Sequence, residues 1–280
     1  MVAMRGALTA AACVACARAV DIQVSASGGN ATSGLQYGFL HEDINNSGDG
    51  GIYAELVRNR AFQFSKMYPR NETLVGYYGI NGANISTEFL EQPLSQQLPL
   101  SMRVTAGSGA GNTGFQNEGY WGMDVKQQTY KGVFWVRGDY QGSFTAALQS
   151  NLTDDVFGSV EIESKSVADD WTEHTYELVP ERDAPNSNNT LAISFDPAGT
   201  ATGYLDFNLI SLFPPTYKGR ENGLRIDIAE ALKEFGPTRI RFPGGNMLEG
   251  NTNRSYWDWK DSLGPLRYRV CSTHDAARER

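Results

Sequence analysis

The chain has 280 residues, 40% of them hydrophobic, so it is long enough to fold around one large core or two ordinary ones. Its formal net charge of -8 argues against nucleic acid and anionic membranes as partners. The 30 Gly, 13 Phe and 13 Tyr residues favour strands and turns over a helical bundle, so we expect much β structure.

Residues 1–19 have the features of a secretory signal peptide. Arg5 is followed by a run of small apolar residues, and the segment ends on the small-x-small pattern Ala17-Arg18-Ala19. A buried N-terminal helix is the weaker alternative, because the segment has no amphipathic period and is too short to span a bilayer. We therefore expect cleavage after Ala19 and an extracellular, secreted protein.

Removal of this segment would leave Cys271 as the only cysteine, which cannot form an internal disulfide. The charge would be near -10, because the 24 basic residues lose Arg5 and Arg18 while all 32 acidic residues remain. Seven Asn-x-Ser/Thr sequons agree with the secretory route, although some would arise by chance in a chain this rich in Asn. They predict glycosylation at Asn30, Asn45, Asn71, Asn84, Asn151, Asn188 and Asn253.

The next part of the chain, residues 20–71, predicts strand, loop and helix. Residues 21–28 and 34–44 have the composition of strands. Residues 50–62 have a helical period, with Asp49 as a possible N-cap. This order is that of a βα unit.

A different pattern fills residues 72–215, where short runs of alternating apolar residues recur between Gly, Asn, Asp and Pro. Such a pattern is typical of an antiparallel β-sandwich in which each sheet buries one face. Leu191, Ile193 and Phe195 are expected on such a face. The eight predicted strands are 100–106, 119–125, 130–138, 143–150, 158–164, 172–179, 190–196 and 204–213.

Helical periodicity returns after Pro215. Apolar residues recur at helical spacing over 224–235, with Asn222 as a plausible N-cap and Gly236 as the end of the helix. A short strand over 238–242 follows. Strand and helix before the sandwich, then helix and strand after it, predict a parallel α/β pattern interrupted by an all-β insert.

Two predicted strand ends carry the residue types of a ligand site. Glu42 lies at the end of the predicted strand 34–44, and Asn246 follows a Gly pair at the end of the predicted strand 238–242. Loops at the carboxyl ends of parallel strands converge, so this carboxylate and this amide could bind hydroxyl groups together. Alternatives stay open: Glu42 could be a solvated turn residue, Asn246 could cap a turn, and Trp257 and Trp259 could pack under a loop rather than stack on sugars.

The three histidines are interpreted as structural. His41 is expected to point away from Glu42, His174 lies in a predicted sandwich strand, and His274 lies near the end of the chain. No His and Cys residues have the spacing of a metal site. We predict no metal and no cofactor.

Segments on both sides of the insert closely resemble the fungal-type α-L-arabinofuranosidases of glycoside hydrolase family 51. They are YGFLHEDINNSGDGGIYAELVRNRAFQ and, after the insert, NGLRIDIAEALKEFGPTRIRFPGGNMLEGN with WDWKDSLGPL. The resemblance covers nearly all of residues 21–266 and includes the carbohydrate-binding-like sandwich. It implies a mixed fold, an antiparallel β-sandwich of jelly-roll type inserted into the N-terminal βα units of a truncated (β/α)8 TIM barrel.

The resemblance also implies an activity. Members of the family remove terminal non-reducing α-L-arabinofuranosyl groups from arabinoxylan and arabinan with retention, using one Glu as acid/base and another as nucleophile about 5 Å apart. Glu42 matches a residue that binds hydroxyls of the arabinofuranose ring, and Asn246 matches a ring-contacting position. The implied partners are arabinose-containing plant cell-wall polysaccharides.

The family's two catalytic Glu residues are expected beyond the last residue of this chain. Asn71-Glu72 and Asn117-Glu118 echo the family's acid/base motif, but the first lies at the insert boundary and the second inside the sandwich. A full barrel takes about 250 residues, more than remain outside the signal and the sandwich. We expect a truncated gene model or premature stop, residues 267–280 read as an aberrant tail, and a polypeptide that is inactive by itself.

The predicted organisation is a signal peptide (1–19), an N-terminal strand with the first βα unit (20–71), the sandwich (72–215), the second βα unit (216–266) and the tail (267–280).

Other functions remain open. Residues 72–214 could be a non-catalytic secreted carbohydrate-binding module, with Tyr120 and Trp121 stacking on sugars, whereas Trp135 is expected in the core. Unpaired barrel strands that expose Phe242, Ile240 and Leu232 could instead make the chain aggregate. Within the glycosidases, β-xylosidase or endoglucanase activity is the nearest alternative, since related barrels share rim residues.

Overall fold

The computed structural model describes residues 21–42, 46–63, 74–109, 111–242, 244, 258, 260 and 263–269. Within them the chain forms twelve strands and one α-helix. The strands are β1 (Gly38–Leu40), β2 (Tyr77–Ile80), β3 (Asn84–Phe89), β4 (Leu100–Thr105), β5 (Thr113–Asn117), β6 (Tyr130–Arg137), β7 (Ser143–Ser150), β8 (Val156–Glu163), β9 (Thr172–Leu178), β10 (Asn189–Phe195), β11 (Tyr204–Phe213) and β12 (Arg239–Arg241). The helix is α1 (Ile226–Glu234), and three short 3-10 turns lie at Pro197–Gly199, Tyr217–Gly219 and Leu266–Tyr268.

Ten of the strands form an antiparallel sandwich of two five-stranded sheets. One sheet has the order β2-β5-β10-β7-β8 and the other β3-β4-β11-β6-β9. Aromatic pairs join the sheets across the core: Phe115 meets Phe207 at 5.1 Å between ring centroids, and Phe134 meets Phe144 at 5.3 Å. Edge-to-face rings of this kind bury large apolar areas and favour one packing arrangement.

Seven of the eight predicted sandwich strands are present, and β11 spans the predicted range. The prediction for 119–125 is wrong, because the chain turns there through Gly119 and Gly122, both with positive φ, after β5 has already ended. No prediction corresponds to β2, β3 or β5. β3 has the sequence NISTEF, whose apolar residues do not alternate.

The prediction of one buried face per sheet is wrong for the central strands. Leu191 and Ile193 of β10 are buried as expected, but so are Thr190 and Ala192, which point the other way. In β11, every residue after Tyr204 is buried. Both strands have neighbours on both sides. Residues 55–60 also bond to the backbone of β11, so alternation of polar residues is not required there.

Residues 50–62 form turns and isolated bridges, so the predicted helix is wrong. Val57 and Phe62 are fully buried in the sandwich core. The backbone N–H of Leu56 donates to the carbonyl of Leu212 in β11. The apolar residues of this segment bury against the sandwich, and backbone groups that a helix would pair internally are paired with β11 instead.

The strands β1 and β12 pair in parallel, with Phe39 opposite Ile240. This confirms that the first strand and the strand after the insert are neighbours, although the sandwich separates them in sequence. The described residues contain no closed barrel, and the predicted strand at 21–28 is wrong, since that segment is irregular and exposed.

The helix before β12 is confirmed, but its predicted cap is not. The N-cap is Arg225, and Asn222 lies outside the helix with a positive φ of 47°. Gly236, at φ +58°, follows the helix as predicted. No helix formed by the described residues is both long and apolar enough to cross a bilayer.

Candidate functional site

The strand ends that follow β1 and β12 lie against each other. The backbone N–H of His41 donates to the carbonyl of Arg241 at 2.9 Å, which extends the pairing by one residue. A Cβ atom built on Gly244 would lie 2.1 Å from Cβ and 2.7 Å from Oε2 of Glu42, and Gly244 has a φ of +109°. Only glycine fits at this position, for both its backbone angle and its contact with Glu42.

Glu42 is half-buried at this edge, and its backbone carbonyl accepts a hydrogen bond from Ser47 Oγ. The ring of His41 stacks on Phe242, with centroids 5.8 Å apart and planes inclined by 7°. The structure therefore places His41 in a packing contact, in line with its structural interpretation. Other residues singled out from the sequence lie outside the described residues: Asn246, Trp257, Trp259, Cys271 and His274.

Glu55, which no pattern in the sequence distinguishes, is a buried carboxylate that is 2% exposed. Its carboxylate accepts hydrogen bonds from the backbone N–H groups of Val57 and Leu212, both at 2.9 Å, and from Ser211 Oγ. Arg60 Nη1 lies 3.4 Å from Oε2. Burial raises the pKa of Glu55 to about 7, and Arg60 and the hydrogen bonds oppose this rise. Glu55 ties residues 46–63 to β11 and is too deeply buried to reach a substrate.

Arg60, the ion-pair partner of Glu55, links this buried carboxylate to the loop that follows Glu42. Its guanidinium lies 3.3 Å from Asp49 and 5.4 Å from the centroid of the Tyr53 ring. Burial alone lowers the pKa of Arg60, but the carboxylates of Asp49 and Glu55 raise it above its ordinary value. The pair with Asp49 holds the loop 46–51 against the sandwich.

The pair Asn117 and Glu118 has a structural role. Oδ1 of Asn117 accepts from the backbone N–H groups of Arg58 and Gly119, while Nδ2 donates to the carbonyl of Arg58. Glu118 accepts from Tyr78 Oη at 3.2 Å and lies 3.7 Å from Arg58. These contacts agree with the interpretation that the pair is not a catalytic motif. Asn71 and Glu72 lie outside the described residues.

A cleft of about 1070 Å³ lies on the outer face of the sheet that contains β6 and β9. Trp135 is half-buried and lies on the face opposite to Phe134 and Val136. It packs on a second, smaller cluster of buried residues that includes Leu209, and it also lines the cleft, so the expectation of a place in the main core is wrong. The guanidinium carbon of Arg267 lies 5.0 Å from the centroid of its ring. Other residues that line the cleft include Lys131, Glu173, Glu177, Phe213, Asn222 and Leu266.

His174 is a neutral core residue. The backbone N–H of Lys165 donates to its Nε2 at 2.9 Å, so Nδ1 carries the proton and donates to the carbonyl of Thr172. Its ring stacks on Phe134, and burial lowers its pKa. Within the part of the chain that the structure describes, no three His, Cys, Asp or Glu side chains form a group that could hold a metal ion.

Four of the seven sequon asparagines are described, and all four are exposed: Asn30, Asn84, Asn151 and Asn188. Asn45, Asn71 and Asn253 lie outside the described residues. Asn151 Nδ2 donates to Oδ1 of Asn188 at 3.2 Å, so two of the sequons are in direct contact.

Comparison with known proteins gives a consistent result. The family model "Alpha-L-arabinofuranosidase 1 domain" matches residues 231–278, a span that runs into the segment 267–280. The probable α-L-arabinofuranosidase A of Aspergillus flavus is 37% identical over 251 residues, which are 89% of this chain and 39% of that protein. The α-L-arabinofuranosidase A of Aspergillus kawachii has the same identity and coverage.

Among solved structures, the arabinose-bound MgGH51 α-L-arabinofuranosidase matches with a TM-score of 0.76 and 40% identity. The match covers 83% of this chain and 38% of that one. The chain thus spans about two fifths of the length of the relatives it matches. In its sequence and its fold, the chain is similar to the α-L-arabinofuranosidases of glycoside hydrolase family 51.

Proposed function

We propose that this chain is part of a secreted α-L-arabinofuranosidase that removes terminal non-reducing α-L-arabinofuranosyl groups from arabinoxylan and arabinan with retention. The family relationship supports the proposal. The observation that carries it is the meeting of Glu42 and Gly244 at the carboxyl ends of two parallel strands. Enzymes built on parallel βα units bind their substrates at this edge.

The proposed fold is a (β/α)8 barrel of which this chain holds part, with the sandwich 72–215 inserted between 20–71 and 216–266. The parallel register of β1 and β12 supports it, because these strands are neighbours in space while the ten sandwich strands lie between them in sequence. The secretory route is supported by the pattern of residues 1–19 and by the exposure of the four described sequon asparagines.

Glu42 is proposed to accept hydrogen bonds from hydroxyls of the arabinofuranose ring, and Asn246 to contact the same ring. A retaining glycosidase also needs a protonated acid/base and an ionised nucleophile about 5 Å apart. We propose that the acid/base and the nucleophile of the family are not among these 280 residues. The polypeptide by itself is therefore proposed to bind an arabinofuranoside without hydrolysing it.

The test is saturation-transfer NMR of the 280-residue polypeptide with methyl α-L-arabinofuranoside, together with an assay on an aryl α-L-arabinofuranoside. We expect binding without turnover, and we expect Glu42→Ala to lose the binding. Glu163→Ala, which removes an exposed carboxylate from β8, is the matched control and should bind normally. Release of arabinose by both the parent chain and Glu42→Ala would show that the site assignment is wrong.

A second candidate is a non-catalytic carbohydrate-binding module, and the cleft on the outer face of β6 and β9 favours it. This cleft has an aromatic side chain, Trp135, and several polar side chains, which is the composition of a sugar-binding groove. Migration through gels that contain soluble arabinoxylan separates the two candidates. Retardation that Trp135→Ala removes and Glu42→Ala leaves intact would favour the binding module over the enzyme.

A further inference from the structure

Trp121 is a large aromatic residue held at the surface by an unusually constrained loop. It is 73% exposed, and its φ of +61° is one that bulky residues seldom adopt. Such a conformation costs free energy and persists only where the surrounding structure enforces it.

The loop is anchored at both ends. At its start, the side chain of Asn117 bonds the backbone of Gly119 and both backbone groups of Arg58. At its end, the N–H of Gly122 donates to the carbonyl of Glu118 at 3.0 Å, and an added Cβ at Gly122 would lie 2.0 Å from the carbonyl oxygen of Ser187. The loop backbone is therefore fixed without help from the indole ring.

The indole of Trp121 lies beside a cation. The guanidinium carbon of Arg58 is 6.0 Å from the centroid of the ring, and Arg58 itself is ion-paired with Glu118. This contact orients the ring, while most of its surface stays in solvent. A rigid, oriented and exposed aromatic face is well suited to stack on the apolar C–H face of a sugar ring.

The same loop touches the chain that leads from Glu42. The ring of Tyr120 packs on Gly50, where an added Cβ would lie 2.4 Å from the ring. The loop 46–51 is also tied to the site, since Ser47 Oγ donates to the carbonyl of Glu42. Gly50 is three positions after Ser47, so the two residues are at most about 11 Å apart. The sandwich therefore places the loop that carries Trp121 against the segment that follows Glu42.

We propose that Trp121 is a stacking platform for pyranose rings of the polysaccharide main chain whose arabinofuranosyl branch is held at Glu42. The inference rests on the proposed function, since it needs an arabinofuranoside site at Glu42. In this arrangement the inserted sandwich helps the site to discriminate between an arabinofuranosyl branch on a polymer and a free arabinofuranoside. Trp121 is a binding residue in this account, not a catalytic one.

The test measures binding of two probes to the full 280-residue chain, a singly arabinosylated xylo-oligosaccharide and methyl α-L-arabinofuranoside. Trp121→Gly is the most informative variant, because glycine accepts the φ of +61° without strain. We expect roughly tenfold weaker binding of the oligosaccharide, unchanged binding of the methyl glycoside, and an unfolding midpoint equal to or above that of the parent chain. Trp121→Phe should retain much of the oligosaccharide binding, because it keeps a flat ring.

Phe89→Ala is the matched control, since Phe89 is 76% exposed on β3, the edge strand of the opposite sheet, and should change neither affinity. Glu42→Ala should weaken both probes. If Trp121→Gly binds the oligosaccharide as well as the parent chain does, or loses stability instead of affinity, the inference is overturned and the proposed function stands. If the parent chain binds neither probe, the proposed function itself fails.

Discussion

Burial of Glu55 makes the stability of the protein depend on pH. Its pKa rises from an ordinary value of 4.5 to about 7 in the folded chain, so the folded state holds this proton more tightly than the unfolded state does. The contribution of Glu55 to stability is complete below pH 4.5 and is lost as the pH rises to 7, by about 3 kcal/mol in total. We expect Glu55→Gln to remove this loss, as measured by urea unfolding at pH 4.5 and pH 7.5.

The difference between Glu55→Gln and the parent chain is the quantity to compare, because His174 acts in the opposite direction. Its pKa is lowered by burial, so its contribution is present at higher pH and is lost as the pH falls below 6.5. If the two proteins show the same change in unfolding free energy between the two pH values, the pKa of Glu55 is the same in the folded and unfolded states and the assigned shift is wrong.

Because the sequons at Asn151 and Asn188 are in contact, we expect that they are not both N-glycosylated on the same chain. Asn151 and Asn188 share a side-chain hydrogen bond of 3.2 Å, and the N–H of Asn151 also donates to the carbonyl of Asn188. A glycan on each amide nitrogen would place two bulky sugars in one space. We expect chains secreted from yeast to carry a glycan at one of these positions but not at both. Mass spectrometry of glycopeptides checks this, and efficient occupancy of both sites on one chain would contradict it.

At the scale of elements, the ends of β1 and β12 meet through Gly244, a residue outside both strands. An alanine at Gly244 would meet Glu42 at 2.1 Å and would also be strained at φ +109°. We expect Gly244→Ala to displace Glu42 and to reduce binding of methyl α-L-arabinofuranoside more than tenfold. Gly203→Ala is the control, because Gly203 has a φ of +75° and open space around it. Equal binding by both variants would show that the contact with Glu42 does not position the site.

The segment 46–63 is energetically part of the sandwich. Phe62 and Val57 lie in the same core cluster as the sheets, and removal of one buried Phe side chain costs about 3–5 kcal/mol. We expect a fragment of residues 46–215 to unfold at higher urea concentration than a fragment of residues 72–215. Phe62→Ala in the longer fragment should fall between them. Identical midpoints for the two fragments would show that this segment adds nothing to the sandwich.

At the scale of the whole molecule, apolar side chains are buried unevenly. The sandwich core is closed, whereas the parallel unit of β1, β12 and α1 buries little of its apolar surface. Ile240 and Phe242 are 68% and 57% exposed, and Ala229 is the buried residue of α1. Apolar strands and a helix face left open in this way are typical of surfaces that pack against more protein. This unevenness agrees with the coverage of about two fifths of the related enzymes.

Local patterns were enough to predict much of this fold. Seven of the ten sandwich strands, α1 and the short strand β12 follow from the spacing of neighbouring residues, because alternation and helical periodicity lie within a few residues of sequence. The neighbouring positions of β1 and β12 followed from the resemblance and from the order of the elements. Glu42 could be identified as a candidate site residue because it lies at the end of a predicted strand.

Tertiary structure decided the rest. Residues 50–62 have the period of a helix, yet the carboxylate of Glu55 is paired with the N–H of Leu212, 157 positions away in sequence. From the sequence, Gly244 is an ordinary turn residue. Its close contact with the side chain of Glu42 becomes evident only in the structure. Trp121 and Trp135 are the same residue type, so hydrophobicity does not distinguish them. The packing of loops and sheets determines that Trp121 is exposed and Trp135 is half-buried. By itself the sequence determined most of the strands and the one helix α1, because periodicity is local, while the site depends on contacts between residues that are far apart in the chain.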